Sequence, residues 1–575
     1  MGNRGVFEYC IIWLVIIGLS QIVASNTVAA TESNKNGVLL SAMKEELNRS
    51  MAELKKQGKN APYFIGYRIV EVRSTAINAS YGALTRSSQD VSRLLNVNVR
   101  VGSYKLDNTH PLRDRFEHGR YSSPVKISIE DNADSIKSTL WQQTDKKYKE
   151  AVEKLIKVQS DKAVKTTEEN PSDDFSQEYP EASVTAPQPL TINKAEWEKL
   201  LKKYSSLLKR YPFIYHSSVS LWGQATVRYI VSTEGTEVQT ADNHVSIHIA
   251  LGSKAEDGME LHQYESFDAR TPEGLPSEKV MVDKIRKMAE NLRLLRTAPL
   301  VEPYNGPAIL SGQAAGVFFH EIFGHRIEGH RQKDEKDGQT FARKMNENIL
   351  PSFISVYDDP TVLRINDHEL NGHYRFDDEG VKAQRVSVVE SGVLKNFLMS
   401  RSPFMNFNKS NGHGRAQAGL EPVSRQGNLI IQCMKTMPYT KLREMLIEEC
   451  KKQKKAFGLI FQKVEGGFTM TGRMIPNAFN VRPILVYRIY TDGRSDELIR
   501  GVDLIGTPLT PFNKIIAASD TVDVFNGYCG AESGSVTVSA VSPALLVSEI
   551  EVQKKEKATA KLPILPPPFY DKQAN

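Results

Sequence analysis

A histidine and a glutamate stand side by side at His320-Glu321, and a second histidine follows at His325, five positions after the first. The residues just before them, Ala314, Ala315, Phe318 and Phe319, are apolar at helical spacing, and Ser311 is placed to cap the start of that helix. An ideal α-helix turns about 100° per residue, so side chains five apart point roughly 140° away from each other. If the two imidazoles are to act together, the helix must end or widen by one residue between them. A single-turn π-bulge is one solution, and Gly324 is a low-cost place for irregular backbone.

The reason to expect them to act together is chemical. Neutral imidazole nitrogens suit a borderline-soft cation such as Zn2+. A glutamate next to a ligand, but off the metal, can take a proton from water, and zinc lowers the pKa of water that it binds from about 15.7 to about 7. Two histidines leave such an ion short of a third protein ligand. Cys529 is the best candidate, because it lies in the glycine-flanked turn Gly527-Tyr528-Cys529-Gly530, where backbone can approach a metal closely. His330 stays open as a rival ligand.

Composition narrows the class. With 575 residues, 40% hydrophobic and 25% charged, the chain reads as a globular protein of two domains. A net charge of +6 and the lack of a basic stripe with interleaved aromatics give no case for nucleic acid. Arg4, the apolar run Cys10 to Leu19 and the small residues Val28-Ala29-Ala30 have the layout of a signal peptide over 1–30. The run is shorter than the ~20 residues that span a bilayer. The expectation is a periplasmic or secreted protein with no stable membrane span after signal cleavage. Of the cysteines left, Cys433 and Cys450 read as buried hydrophobes, with a disulfide between them left open.

The expected fold class is α+β in two domains. Helical periodicity at Leu39, Met43 and Leu47, at Ile136, Leu140 and Leu155, and at Trp197, Leu201 and Tyr204 alternates with strand patterns at Val97, Val99 and Val101 and at Val227, Tyr229 and Val231. This gives an N-terminal α+β domain over 31–299. Within it the polar stretch 166–189 lacks the apolar content to order itself and reads as a loop or linker. A β-rich domain over 300–555 carries the motif helix, and a Pro-rich tail fills 556–575.

From about Gly312 to Val552 the chain resembles the TldD/PmbA (TldE) metalloprotease family, and its active TldD-type subunit in particular. The matching pieces are HEIFGHRIEGH at His320–His330, VYDDP at Val356–Pro360, FDDEG at Phe376–Gly380, NGHGR at Asn411–Arg415, GVDLIGTPL at Gly501–Leu509 and GYCG at Gly527–Gly530, in the family's order. The resemblance implies zinc held by His320, His325 and Cys529, with Glu321 as catalytic base. It also implies a barrel-like C-terminal domain, and cleavage of extended or unfolded peptides gripped as an added β-strand. The active subunit of that family pairs with a paralogue, so a dimer with itself or with a PmbA-like chain is expected. His413 and Arg415 read either as substrate-binding residues or as stabilisers of a turn, and Asp377, Asp378 and Glu379 as a polar turn. Two other readings compete: a non-catalytic cell-envelope binding or assembly protein with a structural zinc, and a zinc hydrolase acting on a non-peptide amide.

Overall fold

The structure is a computed structural model that describes residues 37–112, 124–164, 171–334, 337–473, 479–506, 512–555, 562–565 and 567–568. The signal segment 1–30 and most of the tail 556–575 lie outside the described residues. Among those described, no helix is long and apolar enough to cross a membrane.

The architecture is α+β. The chain opens with a helix over 37–55 (α1) and a long hairpin of strands β1 (Pro62–Ser80) and β2 (Ala83–Val101). Tyr81 and Gly82 at its tip both have positive φ, 46° and 86°, the backbone that suits the right-handed twist of a two-residue hairpin turn. Strands β3 (His216–Ser232), β4 (Glu237–Lys254) and β5 (Glu260–Ala269) extend the sheet antiparallel. Alternation puts Tyr67, Ile69, Leu95, Val97 and Val99 on one face, where α1 and the helix α2 (Ala133–Val164) bury them with Leu39, Met43, Ile136 and Leu140. Further along the same strands, α3 (Lys194–Ser206) and α4 (Glu278–Thr297) cover Ile77, Leu221, Val245 and Ile247. Each such fully buried aliphatic side chain contributes about 1.5–3 kcal/mol.

The second half of the chain forms an eleven-stranded sheet. Strand β6 (Tyr304–Leu310) leads directly into helix α5 (Gly312–Ile322). Then come β7 (Ile354–Asp358), β8 (Val386–Glu390), β9 (Asn428–Cys433), β10 (Phe457–Thr469), β11 (Phe479–Tyr490), β12 (Val502–Gly506) and the terminal hairpin β13 (Ile515–Ala531) and β14 (Gly534–Lys554). β14 runs through the middle: it pairs with β9, β12 and β13, and also with β6. Because β6 pairs with β10, β10 with β11 and β11 with β12, the strands β14, β12, β11, β10 and β6 close a ring. This is the barrel-like character of the β-rich region. α5 is apolar nearly all round and buried along its length, as such a helix must be.

One expectation needs revision, and the question of a disulfide left open above is answered. The stretch 171–189 is held tightly although it has little regular structure. Phe175 is buried with the Arg100 guanidinium 3.6 Å and the Arg401 guanidinium 3.9 Å from its ring centre, and Arg401 also donates to the Ser176 carbonyl. Ala182–Val184 adds to the edge of β4 as a short parallel strand. One aromatic ring clamped between two cations orders a segment whose composition reads as loose. Cys433 and Cys450 are both free thiols packed against different apolar clusters, so the structure does not pair them.

A candidate metal centre

α5 starts where the sequence places it, with the Ser311 hydroxyl accepting from the Ala314 amide at 3.3 Å. Gly312 and Gly316, one turn apart, let the helix lie directly on β14. A Cβ at Gly316 would stand 3.1 Å from the Ala540 carbonyl oxygen, and one at Gly312 2.6 Å from that of Ser542. The helix is thus held close to the hairpin that carries Cys529.

The histidines converge because the helix stops. Its regular turns end at Ile322, and a tighter turn over Gly324–Arg326 swings His325 back toward His320. The rings meet edge-on with centroids 5.1 Å apart. The distortion is therefore a termination rather than a π-bulge. Gly324 matters for a different reason from backbone freedom: its φ is not in the left-handed region, but a Cβ there would overlap the buried Gln426 carboxamide. Gly324→Ala is accordingly expected to shift the turn that aims His325 and weaken metal binding by tenfold or more, on the order of the loss seen when the support of a ligand is disturbed. Competition titration against a chelator checks this, and an unchanged affinity would mean that Gln426 yields freely.

Arg326 seals the end of the helix. Its Nη1 donates to the carbonyls of Glu321 and Ile322 at 3.0 and 3.1 Å and to Thr469 Oγ1 at 3.0 Å, while Nη2 reaches the Met470 carbonyl at 3.2 Å. The Glu321 and Ile322 carbonyls are among those that a helix end leaves without intrahelical partners. Burial, and then the nearby Arg331 charge, lower the Arg326 pKa to about 10.

Cys529 comes from the end of β13 and completes the set. Its sulfur lies 3.3 Å from His325 Nε2, and the donor atoms of His320, His325 and Cys529 all lie within 4.8 Å of one another. A tetrahedral zinc ion with bonds of about 2.05 Å to nitrogen and 2.3 Å to sulfur holds those atoms about 3.6 Å apart, so the donors present fit zinc. All three residues are buried. Burial raises the Cys529 thiol, but the His325 and His320 rings outweigh it and hold the thiol well below its usual range. Burial likewise pushes His325 down, and the Cys529 thiolate and Glu328 more than offset it, bringing it to about 10.

Glu321 adjoins the set without joining it, its Oε2 4.0 Å from His325 Nε2. Burial raises its pKa above the ordinary carboxylate value, against the pull of the two histidines. Gly467 of β10 packs against it, where a Cβ would come 2.8 Å from Glu321 Cγ. The centre opens into a cavity of ≈ 340 Å³ bounded by Gly467–Gly472 on one side and Tyr528–Glu532 on the other.

Behind the ligands lies a charged network that reading the sequence alone missed. Glu328, fully buried, stands 3.2 Å from His325 Nδ1 and accepts from Arg331 Nε at 2.7 Å. Burial disfavours its charge, yet His325, Arg331 and Arg425 keep it well below the usual carboxylate range. Arg425, also fully buried, sits 3.6 Å from Glu328 and donates to the Cys529 carbonyl at 2.6 Å, to Ser533 Oγ at 2.9 Å and to the Gly534 carbonyl at 3.0 Å. It ties the helix side of the centre to the hairpin side. Glu328 carried one signal: its spacing of three from His325.

Other candidates fall elsewhere. His330 pairs with Glu532 at 2.7 Å and is not among the three converging donors. His413 is fully buried, 3.3 Å from Asp358 and 3.0 Å from the Asn411 carbonyl, and Arg415 donates to the Gln426 carbonyl at 2.6 Å with its guanidinium 4.7 Å from the Tyr374 ring centre. Neither lines the cavity beside the three donors; both are engaged in buried contacts with neighbouring loops. Asp377 and Asp378 accept from the amides of Gly414 and Ala416, each at 2.9 Å, and Asp378 pairs with Arg68 at 2.9 Å. They form a buried turn, as read.

Residues 303–554 match the family described as the PmbA/TldA metallopeptidase C-terminal domain. Over 248 residues, 43% of this chain and 50% of the relative, the sequence is 29% identical to a metalloprotease of Methanocaldococcus jannaschii. A zinc metalloprotease TldD homologue of Saccharolobus solfataricus is 23% identical over 370 residues, 63% of this chain and 77% of that protein. The chain spans about half the length of the first two curated relatives it matches. In fold, it is similar to TldE from Thermococcus kodakarensis, with a TM-score of 0.59 at 13% identity, covering 89% of this chain and 99% of that one.

Proposed function

The chain belongs to the TldD/PmbA metallopeptidase family through residues 303–554, and from that premise we propose that it is a zinc-dependent peptidase that hydrolyses extended or unfolded peptides. The observation that carries the reading is the convergence of His320, His325 and Cys529 beside a carboxylate, Glu321, whose proton affinity is raised by burial. When bound, zinc would acidify a water molecule and polarise the carbonyl of the bond to be cut.

The chain's own groups do the rest. Glu321 takes the proton from the attacking water and passes it to the leaving amine, a role that its raised pKa suits. Two strand edges flank the cleft and are positioned to hold an extended substrate. Among the described residues the edge of β13 away from β14 is bridged only at Ser519, by Met437, which leaves its Cys529 end open, and β10 pairs with β6 only at Leu459–Phe461, which leaves the edge at Gly467–Thr469 without a ladder partner on that side. Free backbone donors and acceptors on such edges favour pairing with any unfolded sequence over recognition of one folded partner. A non-catalytic role with structural zinc fits less well: a structural site is normally closed by four protein ligands, whereas three donors converge here beside an acidic side chain that such a site does not need. Export and pairing with a second chain complete the proposal.

The test is metal analysis together with cleavage of an unfolded peptide. Wild type is expected to hold about one zinc per chain, to lose cleavage on chelation and to regain it with zinc. Cys529→Ala is expected to lose the metal. Cleavage that survives complete removal of metal would overturn the reading, and full zinc content in Cys529→Ala would assign the third ligand elsewhere.

A further inference from the structure

One face of the N-terminal sheet is covered by α1 to α4, and near the β1–β2 tip the opposite face carries polar side chains. Cross-strand pairing fixes which residues share it. Arg86, Asn78, Ser220 and His248 stand directly opposite one another across four strands, and Trp222 and Gln224 follow at alternate positions of β3. Together they line a cavity of ≈ 460 Å³, large enough for a ligand group of one or two residues.

The wall of this cavity is completed by Tyr528, the neighbour of Cys529. Tyr528 is docked on the sheet: its hydroxyl lies 3.3 Å from His244 Nδ1, its ring meets that imidazole edge-on at 6.3 Å, and His244 is held in turn by Asp268 at 2.9 Å. Tyr528 also bounds the metal cleft. The two cavities therefore adjoin across one edge strand, β13. Successive side chains of an extended peptide point to opposite sides. A peptide laid along the β13 edge would send one set of side chains toward the metal cleft and the alternate set, or its chain end, toward this second cavity.

The lining names the occupant. Arg86 supplies a cation, and no acidic residue lines the cavity. Arg86 makes no ion pair among the described residues, and its hydrogen bond from Nε to Ser88 Oγ is long at 3.4 Å. His248 is engaged by Ser246 at 2.8 Å and Tyr264 at 2.7 Å, and burial pushes its pKa down, so it stays neutral. Asn78, Gln224 and Ser220 add polar groups, and Trp222 adds a flat apolar wall. A cation without a counter-charge among hydrogen-bonding groups matches a carboxylate. We propose that this cavity is a subsite of the metal cleft that binds a carboxylate of the substrate peptide. The proposal rests on the peptidase reading above, and two sources share the chemistry: the C-terminal carboxylate and an Asp or Glu side chain.

Labelled peptides of one sequence separate them, made with a free or amidated C-terminus and with Glu or Gln walked through the sequence. Their binding is measured on zinc-loaded Glu321→Gln protein, in which a bound peptide is not consumed. The carboxylate form is expected to bind about tenfold or more tightly than its neutral twin, and adding Arg86→Gln should make the twins equal. The arm that discriminates identifies the source. Arg86 is exposed, so its replacement does not threaten the fold, and zinc content verifies this. Equal binding of every twin pair, or discrimination that survives Arg86→Gln, overturns the subsite. Failure of the peptidase reading would show separately, as absence of cleavage of any of these peptides by wild type.

Discussion

Glu321→Gln is expected to keep its zinc and to lose peptide cleavage by a factor of about 10²–10⁴, the usual contribution of a positioned general base. The substitution preserves the side-chain volume against Gly467 and leaves the three converging donors untouched. It removes only the capacity to accept a proton. Single-turnover cleavage and elemental analysis on the same preparation give the two readouts. Cleavage equal to wild type would remove Glu321 from the chemistry, and loss of zinc would show that it ligates the metal.

Glu328→Ala is expected to be the most damaging change to stability. Its carboxylate faces His325, Arg331 and Arg425 where none of them reaches water freely. Removing one member of a buried charge network leaves the others uncompensated and costs about 3–5 kcal/mol. Denaturant unfolding of the metal-free protein should show a loss of that size. Zinc affinity should fall a further 10–100-fold, because His325 loses the carboxylate at its outer nitrogen. Glu328→Gln, which keeps an acceptor but no charge, should fall between. A Glu328→Ala protein as stable as wild type would mean that Arg331 is sufficiently neutralised by Glu532, 2.7 Å away.

The parts of this design legible in the sequence are those governed by local rules. Ser311 as cap, the helix carrying Ile136, Leu140 and Leu155 and the alternation at Val97, Val99 and Val101 follow from spacing alone. The five-residue histidine spacing demanded a distortion, and the structure has one, but periodicity could not say whether the helix would bulge or stop. The space over Gly324 is filled by Gln426, a residue about a hundred positions away, so the turn that ends the helix rests on a contact that no local pattern displays. Arg425 was invisible for the same reason: its partners at 328, 529, 533 and 534 are near it only in space. His413 was open between two roles in the sequence, because the Asp358 that lies 3.3 Å from its buried ring is 55 positions away. Phe175 shows that composition averages conceal a single well-placed ring.

The order in which the strands of the second sheet are made has a consequence for when this chain can act. β14 closes the ring by pairing with β6, and it also carries β9, β12 and β13. During synthesis His320 and Glu321 leave the ribosome long before Cys529, which stands 204 positions after His325. Pairings of such long range form late. A nascent chain, or a fragment ending between residues 326 and 533, therefore has its histidines and its acid but not the closed ring on which Cys529 is seated. The set of metal donors is therefore incomplete until the closing strand is in place, and its assembly depends on the longest-range pairing of the sheet.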